Sequence, residues 1–193
     1  MAYSLNDPAI DPILIGYTKY SQLRVGNLIA INGSYKGTGI IIPGQILALE
    51  HEDYPSLIEV KNLSNGSTAF VKPSAPGGPF GALILYPENL GFRRDPENRH
   101  LFSDGITILS GHGFQNFKVT DAASGKVLYE EQEIYDILSE RSRILGIEHV
   151  HELQNLYTDN FPYRIFDLSG YILKRVNEVA RFKEEIDTRI STQ

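Results

Sequence analysis

Between Leu23 and Lys72 the chain carries four short apolar runs separated by turn-forming residues, and this density of strand signals constrains the fold more than any other feature. In Leu23-Arg24-Val25-Gly26-Asn27-Leu28-Ile29-Ala30-Ile31, a period of two puts Leu23, Val25, Ile29 and Ile31 on one face of a strand. Gln45–Glu50, Leu57–Lys61 and Thr68–Lys72 read as further strands, short and rich in β-branched residues. Ser64-Asn65-Gly66-Ser67 joins the last two, and Asn-Gly between apolar runs is a strong hairpin signal.

Asn32 to Gly39 contains three glycines and Lys36. A phosphate-binding loop would end in Gly-Lys-Ser/Thr and open a helix. Here Lys36 precedes Gly37, and Ile40-Ile41-Ile42-Pro43 reads as a strand ended by proline, so the expectation is a barrel loop. The order of strand, long Gly-rich loop, two strands, hairpin and strand over Leu23–Pro73 resembles the five-stranded SH3-like barrel. That resemblance implies a small curled sheet and admits a peptide-binding module, with Tyr35, His51, Glu52, Asp53 and Tyr54 as groove residues, although Trp is absent.

Residues 1–20 read as an extended N-terminal arm. Asp7-Pro8 and Asp11-Pro12 oppose regular structure, while Ile10, Ile13 and Leu14 are apolar points that such a segment cannot bury by itself. The arm is either an edge strand of its own barrel or is laid on a neighbouring subunit. The first residues lack the basic start and apolar core of a signal peptide, and no apolar run approaches the roughly 20 residues of a membrane span. The expectation is a cytoplasmic or virion protein with no membrane partner. Without cysteine the chain can have no disulfide, thiolate metal site or cysteine nucleophile.

The β-rich region is expected over 21–129. Pro73–Gly81 has hinge composition, and strand signals resume at Ala82–Tyr86. Pro87–Asp104 is a long polar segment in which Arg93, Arg94, Arg99 and His100 alternate with Glu88, Asp95, Glu97 and Asp104. It is either a self-paired charged surface or an interface loop centred on Phe92, Arg93 and Arg94. Ile106–Leu109, Gln115–Thr120 and Lys126–Tyr129 are strands, the last two joined by a hairpin at Asp121–Gly125.

From Glu130 the periodicity changes, and 130–193 is expected to be helical. Glu130, Glu131 and Glu133 suit a helix N-terminus, Ile134, Ile137, Leu138 and Leu145 fall on one face, and Gly146 fits a stop. A second helix is expected from Ile147 to Tyr157. A third, capped by Ser169, runs to about Ile190 with Ile172, Val176, Val179 and Ile186 along one seam. That seam packs either on the chain's own sheet or on another subunit.

Candidate chemistry is sparse. His149 and His151 lie two apart, about 200° round a helix, so no metal site is expected there. His112 in Ser110–Phe114 has no nucleophile or orienting acid at a recognisable spacing. The net charge of −6 and the absence of a basic tract argue against nucleic acid. The chain therefore reads as α+β, a β-barrel-rich body with an SH3-like pattern in its first half and a helical C-terminal region. Its expected role is a non-enzymatic structural subunit of a large homo- or hetero-oligomer, such as a virion or phage-tail-like particle, without catalytic residues, cofactor or metal. Two alternatives are a small-ligand enzyme using His112 with the Arg93/Arg94 loop and an SH3-like peptide-binding module.

Overall fold

A computed structural model describes residues 23–49, 58–71, 80–81, 83, 85–112, 115–136, 141–164 and 166–192. The first strands are β1 (Leu28–Tyr35), β2 (Thr38–Ala48), β3 (Ile58–Asn62), β4 (Thr68–Val71) and β5 (Phe80–Gly81). They are followed by β6 (Arg93–Arg94), β7 (Leu101–Ser103), β8 (Thr107–His112), β9 (Gln115–Asp121) and β10 (Val127–Tyr129). Then come β11 (Gln132–Asp136), β12 (Arg141–Leu145), α1 (Val150–Asn160) and α2 (Ser169–Ser191). The class is α+β. The strands form two five-stranded antiparallel sheets, β4-β3-β2-β1-β5 and β10-β9-β8-β7-β6, and a β11-β12 ribbon. Among the described residues the sheets are open and no barrel closes. No described helix is long and apolar enough to cross a membrane.

The chain divides into two compact units, Met1–Ile84 with Asp167–Gln193, and Leu85–Phe166. In the first unit β1 and β2 pair from Leu28↔Gln45 to Tyr35↔Thr38. The expected loop over Asn32–Gly39 is therefore two strands and a tight turn. Only Lys36 and Gly37 leave the ladder, both at positive φ (48° and 80°), as a two-residue hairpin turn requires. Gly33 serves packing: a Cβ there would lie 2.8 Å from Ile42 Cδ1.

Register puts Ile29, Ile31, Ile40, Ile42, Ile46 and Val60 on one face, where with Leu23, Ile58, Val71 and Ile186 of α2 they form the core. Gly44 opposes Ile29, and a side chain there would collide with Ile31 Cδ1. Pro43, expected to end a strand, lies inside β2. Its carbonyl accepts from Leu63, one residue beyond β3, so the missing N–H costs the ladder at most its terminal bond. Val25 does not share the face of Ile29. Asn27 N–H donates to the Arg24 carbonyl and Gly26 takes φ 90°, so a turn breaks the alternation and leaves Val25 64% exposed.

In the second unit Pro87–Asp104 is not structureless. A single 3₁₀ turn at Pro87–Leu90 and the β6-β7 pairing order it, and buried Leu90, Phe92 and Phe102 anchor it. Phe102 meets Phe117 of β9 edge to face at 5.9 Å and 87°. The larger departure lies at 130–145, where the expected helix is a β-hairpin with Gln132 opposite Leu145 and Asp136 opposite Arg141. Gly146 follows β12 instead of stopping a helix. It packs on the backbone of Asn116, itself at φ 58°, and Phe117 and Ile147 exchange backbone hydrogen bonds of 3.0 and 2.9 Å. This clasp delivers the chain to α1.

Candidate interaction surface

Among the described residues in or beside the first unit's sheet, the exposed large apolar side chains are Val25, Leu47, Leu49 and Phe70. The ladder gathers them at one end. Phe70 opposes Glu59, which opposes Ala48, so Phe70 and Ala48 stand in one row about 10 Å apart across two strand spacings. Strand alternation puts Leu47 on the side opposite core residue Ile46, and the register shift between Ile46 and Ala48 sets Ala48 opposite Glu59. Gly26 N–H donates to the Ile46 carbonyl at 2.8 Å, bringing the Val25 turn beside Leu47. Phe70 points away from the core because its neighbour Val71 is buried in it. Half-buried Glu59 stands in the row, and exposed Lys61 is on the same side one row on. Arg24, also exposed, adjoins Val25.

The sequence pattern places Val25 on one strand face with Leu23, Ile29 and Ile31 and Phe70 within a further strand, and neither assignment points to this cluster. The usable signal was Gly26-Asn27, a turn pair inside an apparently continuous strand.

The residues expected at an interface are placed as follows. Ile10, Ile13 and Leu14 fall outside the described residues. Phe92 is buried within its own unit. Arg93 and Arg94 are exposed on β6, an edge strand, where Arg94 pairs with Glu88 at 2.9 Å and covers the Phe102 ring at 5.3 Å. On α2, Ile172 and Val176 are half-buried, whereas Val179 and Ile186 are buried and Ile186 joins the sheet core. Buried Arg175 pairs with Glu178 on the same helix.

His149 and His151 would stand about 200° apart only if both were helical. His149 is in fact the N-cap, with extended φ −124° and ψ 152°, and the two rings stack at 5.6 Å and 25°. Glu152 Oε2 accepts from the backbone N–H groups of Glu148 (2.9 Å) and His149 (3.0 Å) and lies 3.1 Å from His149 Nδ1. That satisfies otherwise orphaned donors at the helix start. Burial, then the Glu152 and Glu148 carboxylates, raise the Tyr129 hydroxyl above the ordinary phenol range. Both imidazoles are 0% exposed, so the cluster caps a helix and offers no surface to a substrate.

His112 is the last residue of β8, and Arg94 shares a row with Phe102 and Leu109, three residues along β8 from it. Arg93 shares a row with Ser103 and Ile108, four residues along β8 from His112, or about 13 Å before the sideways offset.

The sequence fits no protein-family model, and no curated protein or solved structure is similar to it.

Proposed function

We propose that this chain is a non-enzymatic subunit of a large protein assembly, with a virion or tail-like particle as its setting. The observation that carries the reading is the apolar cluster of Val25, Leu47, Leu49 and Phe70. Exposed apolar side chains gathered at one end of a sheet support an interaction site there. The cluster includes Phe70 of β4, the outermost strand of this sheet among the described residues. The second sheet ends similarly at β10, with Val127 and Tyr129 exposed.

The return of β5 to pair with β1, giving the order β4-β3-β2-β1-β5, supports describing the first unit as SH3-like. Assembly modules and peptide binders share that architecture, so it does not choose between them.

The test is the native mass of the purified chain by light scattering coupled to gel filtration. A particle of many copies, or co-purification in a complex of fixed stoichiometry, is expected. A monomer that stays monomeric at high concentration and joins no complex overturns the reading.

A further inference from the structure

We propose that Asn65 is a site of spontaneous deamidation in the folded chain, and that the fold selects it over Asn32. The tripeptide Asn-Gly-Ser occurs twice, at Asn32–Ser34 and at Asn65–Ser67. Glycine after asparagine leaves its amide nitrogen open to the carboxamide, because no side chain stands in the way. That nitrogen gives up its proton to hydroxide and bonds to the asparagine Cγ. The Cγ–Nδ2 bond breaks, and ammonia leaves with a hydrogen taken from water, so that a succinimide remains. Water then opens either imide carbonyl to give aspartate or isoaspartate. The net change is water consumed and ammonia released.

Both asparagines are exposed, so access of water does not separate them. Backbone freedom does. The five-membered ring closes only if ψ of the asparagine leaves the extended range. Asn32 lies inside β1 opposite Ile41, and Gly33 opposes Ile40. Gly33 is packed so closely that a Cβ on it would sit 2.8 Å from Ile42 Cδ1. Turning this peptide means parting β1 from β2, the strands that carry Ile29, Ile31, Ile40 and Ile42 of the core.

Asn65 stands outside the ladder, between Asn62 at the end of β3 and Thr68 at the start of β4. Its Oδ1 accepts from the Ser67 N–H at 2.9 Å and from the Ser67 hydroxyl at 2.8 Å, and the ring closed by the first of these contains the Gly66 nitrogen. Both donors point at the oxygen on which negative charge gathers as that nitrogen adds to Cγ, so they favour the step. One contact opposes it. The Gly66 N–H donates to the Asn62 carbonyl at 2.8 Å and must be released before the nitrogen can attack. Losing one turn hydrogen bond is a far smaller opening than separating two core strands. Isoaspartate at position 65 adds a methylene to the backbone between β3 and β4, a lengthening that the register starting at Lys61↔Thr68 has to absorb.

The test holds the full chain at mildly alkaline pH, with a matched sample in denaturant and an unincubated control. Peptide mapping by mass spectrometry then places the mass gained where an amide becomes a carboxyl group. In the folded chain Asn65 is expected to convert about tenfold faster than Asn32 or more, whereas in denaturant the two rates converge. Equal rates in the folded chain, or a faster Asn32, overturn the proposal. So does an Asn65 that stays intact in the folded chain while the denatured chain is consumed. A preference just as large in denaturant overturns it too, since the preceding residues, Ile31 and Ser64, would then set the rates in place of the fold.

Discussion

The Tyr35 hydroxyl donates to Asp187 Oδ2 at 3.1 Å, joining residues 152 positions apart. Lys36 Nζ reaches the other carboxylate oxygen at 2.9 Å, and Lys36 and Lys183 place their ammonium groups 5.7 and 5.3 Å from the Tyr35 ring centre. The tip of the β1-β2 hairpin is thus fastened to the C-terminal part of α2 by one carboxylate. The Lys36 hydrogen bond holds Asp187 below its ordinary value of 3.8, and Asp187 in turn raises Lys36 above 10.5.

Those two shifts give this fastening a pH window. A carboxylate whose folded value is depressed contributes stability above its unfolded value, and the contribution is lost as pH falls through the folded one. For the raised lysine the stabilisation is complete below 10.5 and is lost as pH rises through its folded value. Asp187→Asn is expected to flatten both limbs of the melting temperature against pH, below 3.8 and above 10.5. A variant profile parallel to the wild type at both ends would show that the contact contributes nothing.

Gly146→Ala is expected to destabilise the second unit by about 1–3 kcal/mol, because the added methyl meets the backbone of Asn116, which cannot swing aside as a side chain can. Gly170→Ala is the comparison. Nothing lies within 4 Å of its Cβ position, and in the first turn of α2 it should be neutral or stabilising by up to about 1 kcal/mol. Chemical denaturation of the two variants decides this, and equal midpoints would refute the clasp between Gly146 and Asn116.

Tyr157 on α1 donates to Asp104 Oδ2 and lies 2.7 Å from the buried Thr107 hydroxyl, while its ring stacks on Phe166 at 4.3 Å. Burial first, then the Asp104 hydrogen bond, raises this phenol well above its ordinary range. Tyr157→Phe keeps the stacking and removes the shared hydroxyl, at an expected cost of about 1–3 kcal/mol. Thr107→Val in the same background should then cost less than it does in the wild type. Additive losses in that double-mutant cycle would mean the two hydroxyls do not act together.

Arg93→Glu combined with Arg94→Glu separates folding from association. The Arg94–Glu88 pair is solvent-exposed, so its loss should change stability by no more than about 1 kcal/mol. The expected outcome is a nearly unchanged melt with a smaller particle. Unchanged particle mass would remove these arginines from any interface.

Two stretches define how far the residues alone could be read. At Leu63–Ser67 the reading succeeded, because Asn65 and Gly66 impose a turn whatever surrounds them, and Gly66 takes φ 75° between β3 and β4. At 130–145 it failed. Ile134, Ile137 and Leu138 fit a helical stripe, yet β11 and β12 pair from Gln132↔Leu145 to Asp136↔Arg141. A helix is judged from bonds four residues apart, whereas this ladder depends on partners up to 13 positions away and on a unit already rich in strands.

The candidate surface divides along the same line. The cysteine-free composition belongs to the sequence by itself, as do the mixed class and the long final helix, because each follows from residue type and local spacing. That Val25, Leu47, Leu49 and Phe70 share one end of a sheet, that His149 stacks on His151, and that Asp187 closes over Tyr35 was decided only by tertiary structure. The physical reason is register. A bulge, a positive-φ glycine or an N-cap changes which way one side chain points, and its consequence appears only when the partner strand or helix is in place.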